Sequence, residues 1–267
     1  MLNQIFTAFG ITAVLCWGVA SFCSIKKKEK GAVVFQTVGV LLIGMLLSCL
    51  WITLERPPFK TMGETRIWYS FFLAILGGVT YWRLRMGYLL ALTNLLAAVF
   101  VVITICKPEI QSQVLMPALQ SGWFVPHVAV YMFAYAVVGF AVILSFLENR
   151  KSAQKPKELI TKNAKRLCKE SDTLVKIATS ALGIGLCFGA LWAKKAWGQY
   201  WSWDVKESAA LITWFIFLLY IHLQKITRIN RKILFVILVI GFLSLQFTWY
   251  GVKYLPAAQK SPHSFYG

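Results

Sequence analysis

The densest group of chemically distinctive side chains lies in residues 197–207, which read Trp-Gly-Gln-Tyr-Trp-Ser-Trp-Asp-Val-Lys-Glu. Three tryptophans and a tyrosine stand between two long apolar runs, and Asp204, Lys206 and Glu207 follow directly. Aromatic rings with one polar group collect where a membrane meets water and where large flat ligands bind. An interfacial belt explains the rings but not the adjoining charge. The stretch therefore predicts a binding surface for a flat ligand, with the belt as the alternative interpretation.

The chain has only three histidines, and their positions suit metal ligation. His127 follows Trp123 at the start of an apolar run, and His263 lies in the C-terminal tail. Neutral imidazole is the commonest metal ligand in proteins and a usual axial ligand of haem iron. Two histidines beside a flat aromatic surface predict a bis-histidine haem site, although a lone histidine at a helix mouth is more often an ordinary interfacial residue.

His222 differs because it lies near the end of an apolar run, after Leu218. Ionisable residues inside membrane spans are costly and mark a transport pathway or a partner contact. The alternative interpretation is a histidine that reaches the membrane surface and has no function. The sequence alone leaves these two interpretations equally weighted.

The acidic residues of the aromatic stretch have no assigned role at this stage. Asp204 and Glu207 are three residues apart and could share a helical face. Lys206 could hold a carboxylate or a haem propionate. No serine–histidine–aspartate set, zinc-ligand spacing or glycine-rich phosphate loop is apparent in the sequence.

The composition indicates what must position these residues. The chain is 58% hydrophobic and 14% charged, with a mean hydropathy of +0.64, which is typical of a membrane protein. The net charge of +18 does not indicate nucleic-acid binding, because the basic residues occupy short loops between apolar runs, where they determine topology.

The apolar runs predict an all-α polytopic protein with about eight transmembrane helices in a single membrane domain, residues 1–267. The third run is short against the ~20 residues that a span requires. Helices are expected because backbone groups in hydrocarbon must be hydrogen-bonded internally. The runs are residues 5–24, 32–54, 67–82, 88–106, 123–146, 174–192, 209–223 and 233–250.

The distribution of Lys and Arg predicts the orientation. Nineteen of the 28 basic residues fall in alternate loops that this topology assigns to the inner side, as cytoplasmic loops require. Both termini are then outside. His127, His263 and the aromatic stretch share the outer face, and residues 147–172 form the inner loop. The predicted outer segments are residues 55–66, 107–123, 193–208 and the tail 251–267.

The motif then carries a family resemblance. The pattern Trp197-Gly-x-x-Trp201-x-Trp203-Asp204-x-Lys206-Glu207 resembles the tryptophan-rich WWD signature of haem-handling proteins in cytochrome c biogenesis, the CcmC, CcmF and CcsA groups. Further matches favour the CcsA group, also called ResC, of the system II pathway. These matches are Arg56-Pro57-Pro58, Gly63-Glu64-Thr65-Arg66-x-Trp68-Tyr69, Leu119-Gln120-Ser121-x-Trp123-x-x-x-His127, His222 and His263.

The resemblance implies a haem-handling subunit of a membrane cytochrome c synthase (haem lyase) that acts with a CcsB (ResB) partner. Haem b would enter at a transmembrane site using His222 and reach an outer site with His127 and His263 as axial ligands. Thiols of an apocytochrome c Cys-x-x-Cys-His motif would then add to its vinyl groups. The porphyrin would contact the aromatic stretch, and the implied binding residues are Trp123, Trp197, Gly198, Tyr200, Trp201, Trp203, Asp204, Lys206 and Glu207.

Two alternatives remain open. A CcmC-like module would pass haem to a chaperone and is expected to have fewer spans, about six. A transporter would use the aromatic residues only as an interfacial belt. A bacterial inner membrane is preferred over a thylakoid membrane as the location.

Overall fold

The computed structural model describes residues 2–107, 117–153, 162–226 and 229–260, and helices dominate these ranges. The prediction of an all-α polytopic membrane protein is confirmed. Seven of the eight long helices are apolar enough to cross a membrane, and α3 is the exception. The helices are α1 (Leu2–Ile25), α2 (Glu29–Leu54), α3 (Met62–Leu84), α4 (Gly87–Cys106), α5 (Phe124–Ala153), α6 (Lys162–Trp197), α7 (Val205–Gln224) and α8 (Arg231–Gln246).

Helix α3 begins five residues before the short apolar run that predicted it. Its first turns contain Glu64 and Arg66, both buried within the protein. Hydropathy detects residues that face lipid. It therefore underestimates the length of a helix whose polar residues are paired inside the fold.

The helices also extend into the predicted loops. Helix α5 continues to Ala153 and α6 begins at Lys162, so most of the described part of the predicted inner loop, residues 147–172, is helical. Likewise, only residues 198–204 of the predicted outer segment 193–208 lie between helices. An apolar run marks the thickness of the membrane, whereas a helix ends where its backbone is capped.

The chain divides into two compact units, Met1–Leu115 and Met116–Gly267. That both belong to a single membrane domain stays a prediction. In unit 1, α1 and α3 each pack against α2 and α4. In unit 2, α5 and α7 each pack against α6 and α8. Each unit is thus a four-helix arrangement of alternating direction. In unit 2, the starts of α5 and α7 consequently lie at the same end as the last turns of α6 and α8.

A buried ion pair organises the connection between α2 and α3 in unit 1. Arg56 Nη1 and Nη2 donate to the two carboxylate oxygens of Glu64 at 3.0 and 2.7 Å, and the two side chains are 4% and 0% exposed. Glu64 also accepts the backbone N–H of Lys60 and forms a capping box with Thr61. This carboxylate therefore holds the loop and the start of α3 together.

The planar fork of Arg56 is expected to be necessary for this pairing. Replacing Arg56 by lysine keeps the charge but removes the two-point contact, and we expect a loss of about 1.5–3 kcal/mol, typical of hydrogen bonds to charged groups. The loss is measured as a change in the free energy of unfolding of the detergent-solubilised protein. The matched control is Arg85→Lys, at an exposed ion pair with Glu29, where the change should be below about 0.5 kcal/mol. Equal losses at both positions would contradict this account.

Candidate functional site

His127 lies in the first turn of α5, half-buried, with its ring against α6. Its Nδ1 is 2.8 Å from the backbone oxygen of Gly185. A carbonyl oxygen only accepts hydrogen bonds, so Nδ1 carries the hydrogen and Nε2 carries the lone pair. A hydrogen bond of this kind fixes the tautomer and the ring orientation of a metal-binding histidine. The contact with Gly185 therefore leaves Nε2 as the nitrogen that carries the lone pair of the neutral ring.

Two glycines of α6 allow the imidazole and the adjacent Tyr131 ring to approach. A Cβ atom on Gly189 would lie 2.7 Å from Cε1 of His127, and one on Gly185 would lie 3.0 Å from the ring of Tyr131. The edge of Tyr131 packs on the imidazole with 4.8 Å between ring centroids. A larger residue at position 189 could not coexist with this position of the His127 ring.

Trp192 forms the wall beside the imidazole. The two ring centroids are 5.6 Å apart, with 30° between the ring planes. Trp192 is 2% exposed, and its Nε1 donates to the backbone oxygen of Ala118 at 2.7 Å. Its ring also contacts Phe124 and Trp197, with centroid separations of 5.4 and 4.9 Å. Trp192 thus connects His127 to the beginning of the tryptophan-rich stretch.

A row of rings continues from His127 into the interior of unit 2. Tyr131 contacts Tyr135 at 5.7 Å, and Tyr135 contacts Trp249 at 5.5 Å. Trp249 belongs to a π-helical turn, Phe247–Gly251, that directly follows α8. Tyr135, with Ala136, belongs to the sequence segment around His127 that resembles the family, whereas Tyr131 and Trp249 were not predicted as site residues. The spacing of Tyr131 and Tyr135, four and eight residues after His127, would have indicated a shared helical face.

Residues 198–204 connect α6 to α7 and carry the exposed aromatic rings. Tyr200 is 56% exposed and Trp203 is 71% exposed. Lys194 Nζ donates to the oxygen of Gly198 at 2.8 Å and lies 5.3 Å from the centroid of the Tyr200 ring. Trp201 and Trp203 meet edge to face at 5.8 Å. We call this segment, together with the first turn of α5 and the last turn of α6, the aromatic end of unit 2.

The aromatic end also contains an unsatisfied donor. The indole Nε1 of Trp201 is buried, and no described residue accepts a hydrogen bond from it. A buried donor without a partner is costly, so an acceptor supplied by a ligand would be favourable here. A flat ligand with carboxylate groups would supply both the apolar area for the rings and an acceptor for Trp201. The residues present therefore fit a porphyrin that carries propionates.

Asp204 and Glu207 cap a helix, which the sequence interpretation did not predict. Asp204 is the residue before α7, and its Oδ1 accepts the backbone N–H of Glu207 at 2.7 Å. Glu207 in turn accepts the N–H of Asp204 at 3.4 Å. The two carboxylates thus satisfy backbone groups at the start of α7, and only Glu207 lies within the helix. An aspartate three residues before a glutamate, ahead of an apolar run, is the sequence signature of this capping box.

His222 lies at the opposite end of unit 2 from His127. It is in the last turn of α7, exposed, and its Nδ1 donates to the oxygen of Leu218 at 2.8 Å. Within unit 2, the structure thus separates His222 from the aromatic end. His263 lies outside the described residues. Of the predicted site, the structure brings His127 and Trp197 together around Trp192, and Trp123 packs nearby on Phe188 of α6.

A charged cluster joins all four helices at the end of unit 2 that carries His222. The Arg231 guanidinium donates to both oxygens of Glu148 at 3.2 and 3.1 Å and to Asp172 at 3.0 Å. Tyr220 donates to Asp172 at 2.7 Å. Glu148 and Asp172 are largely buried. The sequence interpretation treated these positions as polar loop, because their pairing is visible only in three dimensions.

The helices and the site define a polytopic membrane protein in which a histidine packs against aromatic rings. A family model described as "Cytochrome C assembly protein" matches residues 5–258. The chain belongs to this family. This confirms the predicted membership and, at the level of the family, the predicted role in cytochrome c maturation.

The relatives of this chain include proteins named "Cytochrome c biogenesis protein CcsA". The one from Chlamydomonas reinhardtii is 31% identical over 231 residues, covering 82% of this chain and 65% of the relative. The one from Solanum bulbocastanum is 29% identical over 275 residues, covering 89% and 85%. The predicted bacterial location is not confirmed, since these relatives come from an alga and a flowering plant.

A solved structure shares the fold. "Cytochrome c Heme Lyase CcmF" superposes with a TM-score of 0.73 at 12% sequence identity. The match covers 94% of this chain and 47% of that one. At this identity the likeness shows a common fold, and this chain spans about half the length of the CcmF chain.

The close approach of His127 to α6 leads to a stability prediction. We expect Gly189→Ala to cost about 1–3 kcal/mol, because the added methyl group overlaps the imidazole. The matched control is Gly122→Ala, since a Cβ there meets nothing within 4 Å. Thermal unfolding of the two variants beside the parent protein measures the difference. Equal stability of both variants would show that the imidazole does not pack on Gly189.

Proposed function

We propose that this chain is the haem-handling subunit of a membrane cytochrome c synthase, and that the aromatic end of unit 2 presents haem b to apocytochrome c. The observation that carries the proposal is that a hydrogen bond fixes the tautomer of His127. Its Nδ1 is hydrogen-bonded to Gly185, so Nε2 is the nitrogen that would coordinate iron. Trp192 and Trp197 supply the adjacent apolar wall.

The second axial ligand is proposed to be His263, as the family resemblance implies. Two imidazoles would fix the iron, and the exposed rings of Tyr200 and Trp203 would cover part of the porphyrin. Burial of apolar area contributes about 25 cal/mol per Å². The indole of Trp201 would donate to a propionate. Trp123, Gly198 and Lys206 complete the proposed binding set.

The chemistry that this arrangement promotes is addition of thiols to vinyl groups. Each cysteine thiol of a Cys-x-x-Cys-His motif adds across one vinyl double bond, with sulfur bonded to one carbon and hydrogen to the other. No oxidant or reductant is consumed in this addition. The chain's contribution is to hold its substrate with the vinyl edge accessible, because orientation alone converts a bimolecular step into an effectively unimolecular one.

The proposed path begins at His222. This side chain is exposed on α7, and ionisable residues in membrane spans often mark a transport pathway or a partner contact. We propose that a CcsB/ResB-like membrane protein covers it and that haem enters between the two proteins. The basic residues favour an orientation with the aromatic end outside and both termini outside, in a bacterial inner membrane or a thylakoid membrane.

The alternative of a chaperone-loading module is disfavoured by the helix count. That function was expected to go with about six spans, whereas the described residues form eight long helices. The transporter alternative makes a different prediction, namely that the purified protein carries no haem and tolerates Trp203→Ala.

The axial ligands can be tested by spectroscopy of the protein purified with its partner. We expect wild type to show a low-spin bis-histidine haem, and His127→Ala and His263→Ala each to lose this signature together with cytochrome c yield. Added imidazole should restore the low-spin spectrum, because it replaces the missing ligand. Unchanged ligation and yield in both variants would refute the proposal.

The entry site predicts a different phenotype. We expect His222→Ala to reduce haem occupancy at the aromatic end, while the haem that remains keeps the bis-histidine spectrum. Occupancy and axial ligation should respond differently because His222 lies at the end of unit 2 opposite His127. Haem content and absorption spectra measure both quantities. Normal haem loading in this variant would exclude His222 from haem entry.

A further inference from the structure

Trp203 has a backbone conformation that bulky residues rarely adopt. Its φ is +58°, in the left-handed region, where a side chain of this size is strained. Three other described non-glycine residues have positive φ: Lys27, Glu55 and Arg85. Each of these follows the end of a helix, where a left-handed residue commonly terminates the turn. Trp203 instead precedes a helix, so helix termination does not explain its conformation.

The ring of Trp203 packs little against the rest of unit 2: it meets Trp201 edge to face at 5.8 Å and is otherwise largely exposed. An apolar residue at this position usually packs against the fourth residue of the helix as a hydrophobic staple. In α7 that residue is Ser208, whose hydroxyl instead approaches the oxygen of Trp203 at 3.4 Å. The indole is 71% exposed. The strained backbone thus presents the ring outward, and observed strain of this kind often marks a functional position.

A single carboxylate holds the residues on both sides of Trp203. Glu207 Oε2 accepts the backbone N–H of Ser202 at 2.8 Å and its hydroxyl at 3.3 Å. The same oxygen accepts the N–H of Asp204 at 3.4 Å. Asp204 fixes Glu207 in return through the capping box. The negative charge is favourable at this point, since the start of a helix carries partial positive charge.

We propose that Glu207 is a positioning residue that holds Trp203 in its left-handed conformation and thereby sets the face on which the porphyrin lies. The inference rests on the proposed function, because it requires Trp203 to contact haem. The resemblance implied that Glu207 binds haem directly, but its Oε2 already accepts hydrogen bonds from Ser202 and Asp204, and the proposal assigns it no contact with the ligand. Glu207 acts through Ser202 and Asp204, and loss of its carboxylate frees Trp203 to relax toward an ordinary conformation.

The test measures haem loss from the full chain, loaded with haem b, to an excess of a haem-scavenging protein. We expect Glu207→Ala to accelerate haem loss about 10-fold, as removal of hydrogen bonds to a charged group implies. Glu207→Gln keeps an acceptor oxygen and should stay within about 2-fold of wild type. The bis-histidine spectrum should be unchanged in both variants, because neither axial ligand is altered.

Two further variants separate the possible outcomes. Gln199→Ala changes an exposed side chain in the same segment and should behave as wild type. Trp203→Ala should accelerate haem loss at least as much as Glu207→Ala, and the double variant should add little. Fast loss in Trp203→Ala with wild-type loss in Glu207→Ala would overturn the positioning role alone. Wild-type loss in Trp203→Ala would overturn the porphyrin contact itself. Loss of the low-spin spectrum in Glu207→Ala would show a general collapse of the site and contradict the proposal.

Discussion

The hydrogen bond from His127 Nδ1 to the backbone oxygen of Gly185 is the interaction on which the candidate site depends. A helical carbonyl has two lone pairs, so it can accept this bond in addition to its own helical partner. The imidazole can lie here because α6 has glycine at position 189, and glycine at position 185 leaves room for the neighbouring ring of Tyr131. Helix packing, ring orientation and choice of tautomer are therefore decided by the same contact.

The third helix of each unit begins with the same capping motif, but the glutamate of the motif has different partners in the two units. Both α3 and α7 begin with a capping box that has glutamate at its third position, Glu64 and Glu207. In unit 1 the buried guanidinium of Arg56 pairs with this glutamate, and the loop is fixed internally. In unit 2 the glutamate binds backbone and hydroxyl donors of the segment that presents Trp203. The start of α3 thus stabilises a loop, and the start of α7 supports the segment that exposes Trp203.

The sequence was sufficient for the fold class, because apolar runs and alternating basic loops leave few alternatives to a helical membrane protein. The motif at Trp201, Trp203 and Asp204 was sufficient for the family. The helix ends were not predictable from hydropathy, since the polar residues Glu148 and Asp172 lie in helices and pair with Arg231. Trp192 and Trp249 were missed because a buried aromatic residue in an apolar run has no distinguishing local signal.

The central claim is that His127 coordinates haem iron through Nε2 while Gly185 retains Nδ1. An experimental structure of the haem-loaded protein with its partner tests it most directly. The account predicts iron bonded to Nε2 of His127, the Nδ1 contact to Gly185 intact, and the porphyrin against the aromatic end of unit 2. Iron bonded to Nδ1, or haem located away from His127, would contradict it.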